Sequence, residues 1–500
     1  MYASIFLIGL AALAGDLSTA SSTALGPPPA QATPSESLAE LNGKLQRAIE
    51  RANQTDMLTI AEAMIAHPGF QTLPERQRYA LHYLAGALHL EMDRPDLALP
   101  LLIEATAWSS APFDFWFSRV KAHNRTDEVD GAARATATTL TRFPERLGDF
   151  SSTWLLQLAQ RPELEHGAGF DLRMALLGAG WRDEDDSFVW LSLIDDLLER
   201  DRALEAKALV DRVSTASGRL QLAALHRYGR IRPAGVIDVA AILDEDLAMA
   251  RERAAAPGAT VSDRNGYLWD LLTRGRFAET LAETEATLAD PAPDASTDPE
   301  GEDDLTWTMD LRARALFELG RVDEAIDQMH TAAARSESGE PNVSQSINLG
   351  WLNLRLGRHV AALEAVAEVS GDSVSAYGRM QRDAVGACAA HALGDEVTSI
   401  PLFASIEANW RDAPVAAYDA AACRGDEGAM ARVLIDMLND PEHAPTGVAM
   451  MHDYLFPSSV TDFDRRHLEL HHRVAARPEV VAARDRVGRR LSIPTIGILF

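Results

Sequence analysis

Only two of the 500 residues are cysteine, Cys388 and Cys423, so the N-terminal stretch offers no residue for a bacterial lipid anchor. Positive charge is also scarce. Lys and Arg number 47 against 74 Asp and Glu, a formal net charge of −27. Nucleic acid and anionic lipid are bound through clustered Lys and Arg, so this balance opposes both. Motifs of common chemistry are missing as well. There is no Gly-rich phosphate loop with Lys, no Gly-x-Ser-x-Gly elbow and no His-Glu-x-x-His helix. No cofactor is expected, and only an enzyme of unusual design would escape this filter.

What the chain does have is a period. Hydrophobic residues make up 47% and charged residues 24%, ordinary for a soluble protein. Yet a single compact core normally stops growing before about 250–300 residues. The stretch Ile347 to Leu363 holds two short helical patterns joined at Gly357-Arg358. Leu349-Gly350 sets a bulky residue beside a small one on the first helix, and Ala362 allows close approach by the second. Gly320, Gly357 and Gly394 repeat the turn at intervals of 37 residues. Farther upstream, Ala61, Ala98 and Ala132 are separated by 37 and 34 residues, and Ala206 lies two periods of 37 beyond Ala132. One such hairpin cannot bury its apolar face alone, so the period implies stacking.

The chain resembles the tetratricopeptide-repeat family, where a Trp, a Leu-Gly, a second-helix Ala and a terminal Pro recur about every 34 residues. Trp116, Ala132 and Pro144 match in one repeat, and Leu349, Gly350 and Ala362 in another. Thr280 and Ser399 stand where the alanine belongs. The resemblance implies an all-α, right-handed α-solenoid of roughly ten helical hairpins with almost no strand. The ending, Asp440-Pro441 or Arg477-Pro478, a short helix, then Arg486-Val487-Gly488, resembles the tails of repeat arrays in bacterial regulators and adenylate cyclases.

Residues 1–20 read as a signal peptide. The apolar run Ile5 to Ala14 precedes small-residue sites, so the mature chain is expected to begin after Ala14 or Ala20 in a periplasmic or secreted protein. The departure is that no Lys or Arg occurs before Lys44. A Pro-rich spacer follows over 21–37. An N-terminal array is expected over 38–289, an acidic linker over 290–304, a C-terminal array over 305–440 and an irregular cap over 441–500.

Several groups are candidates for chemistry. His467 and His471 lie four apart on a predicted helix, with Asp464 one turn before, a spacing able to hold zinc. The alternative is a His-rich surface helix. Asp183 to Asp186 lacks the alternation of a calcium loop and reads as helix capping. Trp116 and Trp190, each sixteen residues before a packing Ala, read as core. Trp269 and Trp351, eleven before Thr280 and Ala362, fall where the family faces its concave groove, either as binding anchors or partly buried against the next repeat. Cys388 and Cys423 are 35 apart, close to one period, on successive first helices. A disulfide between them needs Cα atoms within about 7 Å, whereas neighbouring helix axes lie about 8–10 Å apart, which leaves the pairing open.

The reading that follows is a non-catalytic scaffold for a protein or peptide partner. Its surface is expected on the concave face of the second half, from Arg314, Trp351, Arg355 and His391. Two Arg beside a Trp suit a carboxylate-bearing or aromatic peptide end. Pairing of these arginines with Asp310 or Glu318 is the competing role. A metal-dependent hydrolase built on residues 464–472 and a cytosolic regulatory module working beside a catalytic partner are the rival functions.

Overall fold

The computed structural model describes residues 36–161, 163–183, 186–232, 237–289, 299–337, 340–367, 369, 374–455 and 461–496, with 299–302 described in backbone only. The expected signal peptide, all but the last two residues of the spacer, and most of the linker fall outside these. The chain divides into two compact units between Val213 and Ser214.

In the first unit the helices are α1 (Leu38–Glu50), α2 (Gln54–Ile65), α3 (Glu75–Glu91), α4 (Pro95–Thr106), α5 (Phe113–Arg125), α6 (Val129–Arg142), α7 (Ser152–Gln160), α8 (His166–Gly178), α9 (Ser187–Glu199) and α10 (Ala203–Ala208). In the second they are α11 (Ala216–Ala224), α12 (Val239–Ala254), α13 (Val261–Thr273), α14 (Phe277–Ala289), α15 (Pro299–Glu318), α16 (Val322–Ala333), α17 (Val343–Arg355), α18 (His359–Ala367), α19 (Ala376–Ala392), α20 (Glu396–Ala408), α21 (Pro414–Cys423), α22 (Glu427–Asn439), α23 (Ala444–Met450), α24 (Asp462–Ala475) and α25 (Pro478–Val487). Strand is confined, among the described residues, to β1 (Ser336–Glu337) antiparallel to β2 (Glu340–Pro341) and β3 (Asp453–Leu455) parallel to β4 (Ser492–Ile496).

Each unit contains helical hairpins whose neighbours in sequence pack together, a solenoid of tetratricopeptide-like pairs. The turn chemistry explains the period. Gly275, Gly320, Gly357, Gly394 and Gly425 all have positive φ. At the middle one, Gly357 N–H donates to the Leu354 carbonyl and Arg358 N–H to that of Asn353. These bonds satisfy carbonyls that the end of α17 leaves open.

Close approach accounts for the small residues. A Cβ on Gly350 would lie 2.8 Å from Val385 Cγ1 and 3.1 Å from Val366 Cγ1. Helix α17 thus touches its own partner α18 and the next first helix α19 at one point. Ala61, Ala98, Ala132, Ala206, Ala325 and Ala362 are buried, and Thr280 and Ser399 fill the same place while equally buried. Thr280 places its hydroxyl on the Arg276 carbonyl, which removes the cost of the extra polar atom. One apolar cluster runs through three hairpins, from Leu268 and Leu281 through Leu311, Phe317 and Met329 to Leu349 and Leu352.

Helix α15 begins at Pro299, so residues 299–304 of the expected acidic linker are helical. Proline is well tolerated in the first turn of a helix, and acidic residues there favour the dipole. The division between units falls instead at Val213, where composition gives no sign.

Residues 461–496 run back over the second unit. Helix α24 packs on α17, α21 and α22, and α25 packs on α22. Gly488 then bridges Leu225, and Arg489 donates from its backbone N–H to the Ala224 carbonyl and from Nε to that of Ala223. Strand β4 reaches α12. The tail therefore connects the last hairpins of this unit to its first helices.

Candidate functional site

One period of 37 carries Arg314 onto Trp351 and Glu318 onto Arg355, so these residues form two ladders on successive first helices. The structure brings Arg314, Trp351 and Arg355 together with Phe317 and Asn348 around a cavity of about 30 Å³. That is room for one or two waters, not for a peptide end.

Each polar group there already has a partner. Arg314 Nε donates to Asp310 Oδ2 at 2.7 Å, and Asn348 Nδ2 to Asp310 Oδ1 at 3.3 Å. Trp351 is only 6% exposed, and its indole N–H donates to Gln381 Oε1 at 3.2 Å. Arg355 lies over the Phe317 ring at 4.4 Å, with Glu318 at 3.8 Å. Its guanidinium makes a two-pronged bond to Asp464, Nε to Oδ1 at 3.0 Å and Nη2 to Oδ2 at 3.1 Å. The expected open concave site is thus filled, in part by a residue 109 positions away.

His391 does not join this group. Its ring packs edge-on against Phe403 of α20, its own paired second helix, at 5.9 Å. The reason is register: the equivalent of Arg355 one period on is Ala392, and a shift of one residue turns a side chain by about 100° around a helix.

Helix α24 supplies the occupant. Thr461 caps it, accepting from Asp464 N–H while Asp464 Oδ2 accepts from Thr461 N–H at 3.0 Å. The carboxylate therefore satisfies a helix end and an arginine at once, with 0% of it exposed, and Arg355 is 11% exposed. One turn on, His467 is buried and stacks on Phe463 at 4.3 Å. His471 Nδ1 shares a 2.8 Å hydrogen bond with Tyr418 Oη. Burial drives both imidazoles down to about 4, against the smaller opposing pulls of the Asp419 backbone and Asp464 on His467 and of the Met450 backbone on His471. At the helix end Arg473 and Arg477 both reach Glu427, at 2.8 and 2.9 Å.

These partners also correct the zinc candidate. Asp464 is committed to Arg355 and Thr461, and His471 to Tyr418, so the three side chains do not converge as ligands. Among the described residues the group of this kind that does converge is Asp440, Glu442 and His443. Its Asp440 already accepts from the Glu442 N–H at 3.0 Å and from Arg411 Nε at 3.2 Å. In the Asp183–Asp186 run, 184 and 185 lie outside the described residues, and Asp186 precedes α9 without a side-chain capping bond.

Cys388 and Cys423 are joined by a disulfide, with Cα atoms 5.5 Å apart. Cys388 is the next rung after Arg314 and Trp351, so the bridge ties α19 to α21 along the same ladder. Trp116 and Trp190 are buried in the first unit. Trp269, the rung before Arg314, is 44% exposed, and Trp307 on α15 is 42% exposed.

A second cavity, of about 100 Å³, lies in the first unit, where the period marks Ala132 and no motif marks the rest of the lining. It lies by the α5–α6 turn, where Trp154 Nε1 donates to Asn124 Oδ1 at 2.9 Å and Arg161 pairs with Asp127 at 3.2 Å. Gly131 makes room for His123 there, since a Cβ would lie 2.2 Å from its Nδ1. Among the described residues no helix is long and apolar enough to cross a membrane.

The chain matches no protein-family model and no curated protein. Solved structures are similar along most of its length. The APC/C hetero-tetramer Cut9–Hcn1 is 13% identical over 97% of this chain and 98% of that one, with a TM-score of 0.28. Naa15/Naa10 bound to HypK-THB is 12% identical over 89% and 95%, with a TM-score of 0.24. A circular tandem repeat protein is 13% identical over 90% and 97%, with a TM-score of 0.15. Superpositions this loose carry no argument about function. The description as a tetratricopeptide-like array rests on the hairpins themselves, their left-handed turns and the period of 37 residues that relates them.

Proposed function

We propose that this chain is a non-catalytic scaffold that holds a protein partner on the first-helix face of its second unit, and that it works outside the cytoplasm. The observation that carries the binding reading is the seat of Asp464 on Arg355. The face accepts the start of a capped helix, takes its carboxylate in a guanidinium fork and excludes water from the pair. A bidentate Arg is suited to this task because its planar donors match a carboxylate. The exposed Trp269 and Trp307, on the first helices α13 and α15, offer the large apolar contact area that anchors protein interfaces. Export is supported by the apolar run and small-residue sites of residues 1–20 and by pairing of the chain's only two cysteines, a bond favoured in oxidising compartments.

A photo-crosslinking residue at the exposed position 266, beside Trp269 on α13, expressed in intact cells and followed by mass spectrometry, tests the binding reading. With Trp269 intact, capture of a defined protein is expected, and adding Trp269→Ala should lower its recovery at least tenfold with an unchanged melting curve. Recovery that survives Trp269→Ala places the partner elsewhere. Sequencing the mature N-terminus tests export: intact Met1 on protein from an envelope extract would refute it.

A further inference from the structure

We propose that α24 is an intramolecular ligand of the first-helix face, so that its docking and the binding of a partner's acidic helix start exclude each other. The inference rests on the scaffold reading above and adds how that face is regulated and what chemistry it takes.

The composition of the contact is the first argument. A permanent cap on a solenoid buries apolar surface against the last repeat, as α25 does with Val480 and Ala483, both fully buried. Helix α24 differs. Of its 14 residues the buried ones are Phe463, Asp464, His467 and Val474, two of them polar. Leu468 and Leu470 are half-buried beside them, and the directional contacts are Tyr418 on His471 and Glu427 on Arg473 and, just past the helix, on Arg477. What sets α24 apart from α25 is that buried hydrogen-bonded and charge-paired groups stand among its apolar ones, a mixture typical of surfaces that separate.

Reach is the second argument. α24 leaves the last hairpin and places its first turn on α17, two hairpins back, where Asp464 meets Arg355 and Arg355 meets Glu318 from its own ladder. A buried ion pair adds little stability compared with apolar packing of the same volume, but it discriminates strongly among occupants. The partner class that fits is therefore a helix opening with Ser or Thr, two residues and an Asp, as Thr461 to Asp464 does here. Departure of α24 would leave the Arg355 fork facing solvent and ready for that group.

The test uses the full chain and a labelled peptide of residues 461–476. In Asp464→Arg, amides 462–475 should exchange at least tenfold faster while those of 343–355 keep their protection. The peptide should bind this variant at least thirtyfold more tightly than wild type, and adding Arg355→Ala should abolish the binding. If Asp464→Arg fails to fold, Asp464→Asn, which keeps the shape and an acceptor for Thr461, should show the same selective loss of protection. The proposal is overturned if 462–475 stays protected, or if it opens only together with 343–355. Peptide affinity equal for wild type and variant, including no binding to either, would also overturn it. A cellular partner captured equally by wild type and Asp464→Arg would remove the exclusion and leave the scaffold. Peptide binding with no partner captured from cells would do the reverse.

Discussion

Acidification should release α24 before it unfolds the array. His467 and His471 lie four residues apart on one face of the helix, with Phe463, Asp464, Asp419, Tyr418, the Met450 backbone, Arg466, His472 and Arg490 about them. Burial holds both imidazoles down to about 4 in the docked state, whereas an exposed histidine titrates near 6.5. The undocked helix therefore binds more protons at every pH between these values. Docking is strongest above pH 6.5, weakens as pH falls through the window, and loses nothing further from these groups below about 4. At pH 5 each imidazole costs the docked state about 2 kcal/mol, and the pair about 4 kcal/mol, on the order of a thousandfold from the imidazoles alone. The Asp419 carboxyl, pushed up to about 8 by burial, titrates in the same window with the opposite sign to the extent that α24 covers it. Hydrogen exchange of residues 462–475 at pH 7.5 and pH 5, corrected for intrinsic rates, measures this directly. Protection there should fall steeply while 343–355 changes little, and replacing both histidines by Gln should flatten the response. Equal protection at the two pH values would refute the reasoning. So would loosening that starts only below pH 4, where both imidazoles are already charged in either state.

Two glycines in first helices make a matched pair. Gly350→Ala forces a Cβ to within 2.8 Å of Val385 and should cost about 1–3 kcal/mol. Gly266→Ala in α13, where nothing lies within 4 Å, should stabilise by about 0.5–1 kcal/mol; thermal denaturation of both variants gives the comparison. Reduction of the Cys388–Cys423 bridge, which closes a segment of 35 residues, should lower stability by about 2–4 kcal/mol. Denaturant titration with and without reductant measures the loss, and alkylation of two thiols in native, unreduced protein would contradict the bridge.

The repeat was legible where glycine marked it. In the second unit a left-handed residue was needed at each hairpin turn, and glycine supplied it at Gly320, Gly357, Gly394 and Gly425. The first unit makes the same turn with Asp93, Asp127 and Asp201, at φ of 54°, 54° and 56°. Their hydrogen bonds repeat those at Gly357: Asp93 N–H to the Leu90 carbonyl and Arg94 N–H to that of His89. Aspartate is among the few residues that visit this region readily, so a search for Gly-Arg turns passes over three hairpins that the alanine period alone revealed. The unit boundary at Val213 was illegible for a different reason. Its neighbours are ordinary helix-capping residues, while the conspicuous Pro and acidic run 290–304 ends inside a helix that tolerates both.

The candidate site shows the limit of ladder reasoning. Period and register put Arg314, Trp351 and Arg355 on one face, because side chains one repeat apart on equivalent helices must stack, and the three line one cavity. They could not say whether that face was open. What fills it is a carboxylate from beyond the array, and nothing in the local spacing of α17 refers to residue 464. The sequence did hold two signals. Thr461-Asp-Phe-Asp464 is a capping box, and a helix so rich in His and Arg is a poor candidate for solenoid packing. Taken as a metal site, those histidines looked like ligands. Their burial without convergence suits a different use, since neutral imidazoles in a polar contact make that contact sensitive to protons. A surface ion pair is worth about 0–1 kcal/mol, but Arg355 is 11% exposed against a carboxylate with no exposure. Removing one partner of such a pair costs about 3–5 kcal/mol. Alanine at position 355 therefore cannot separate a binding role from a docking role, and only a change on the occupant, at Asp464, leaves the face itself intact.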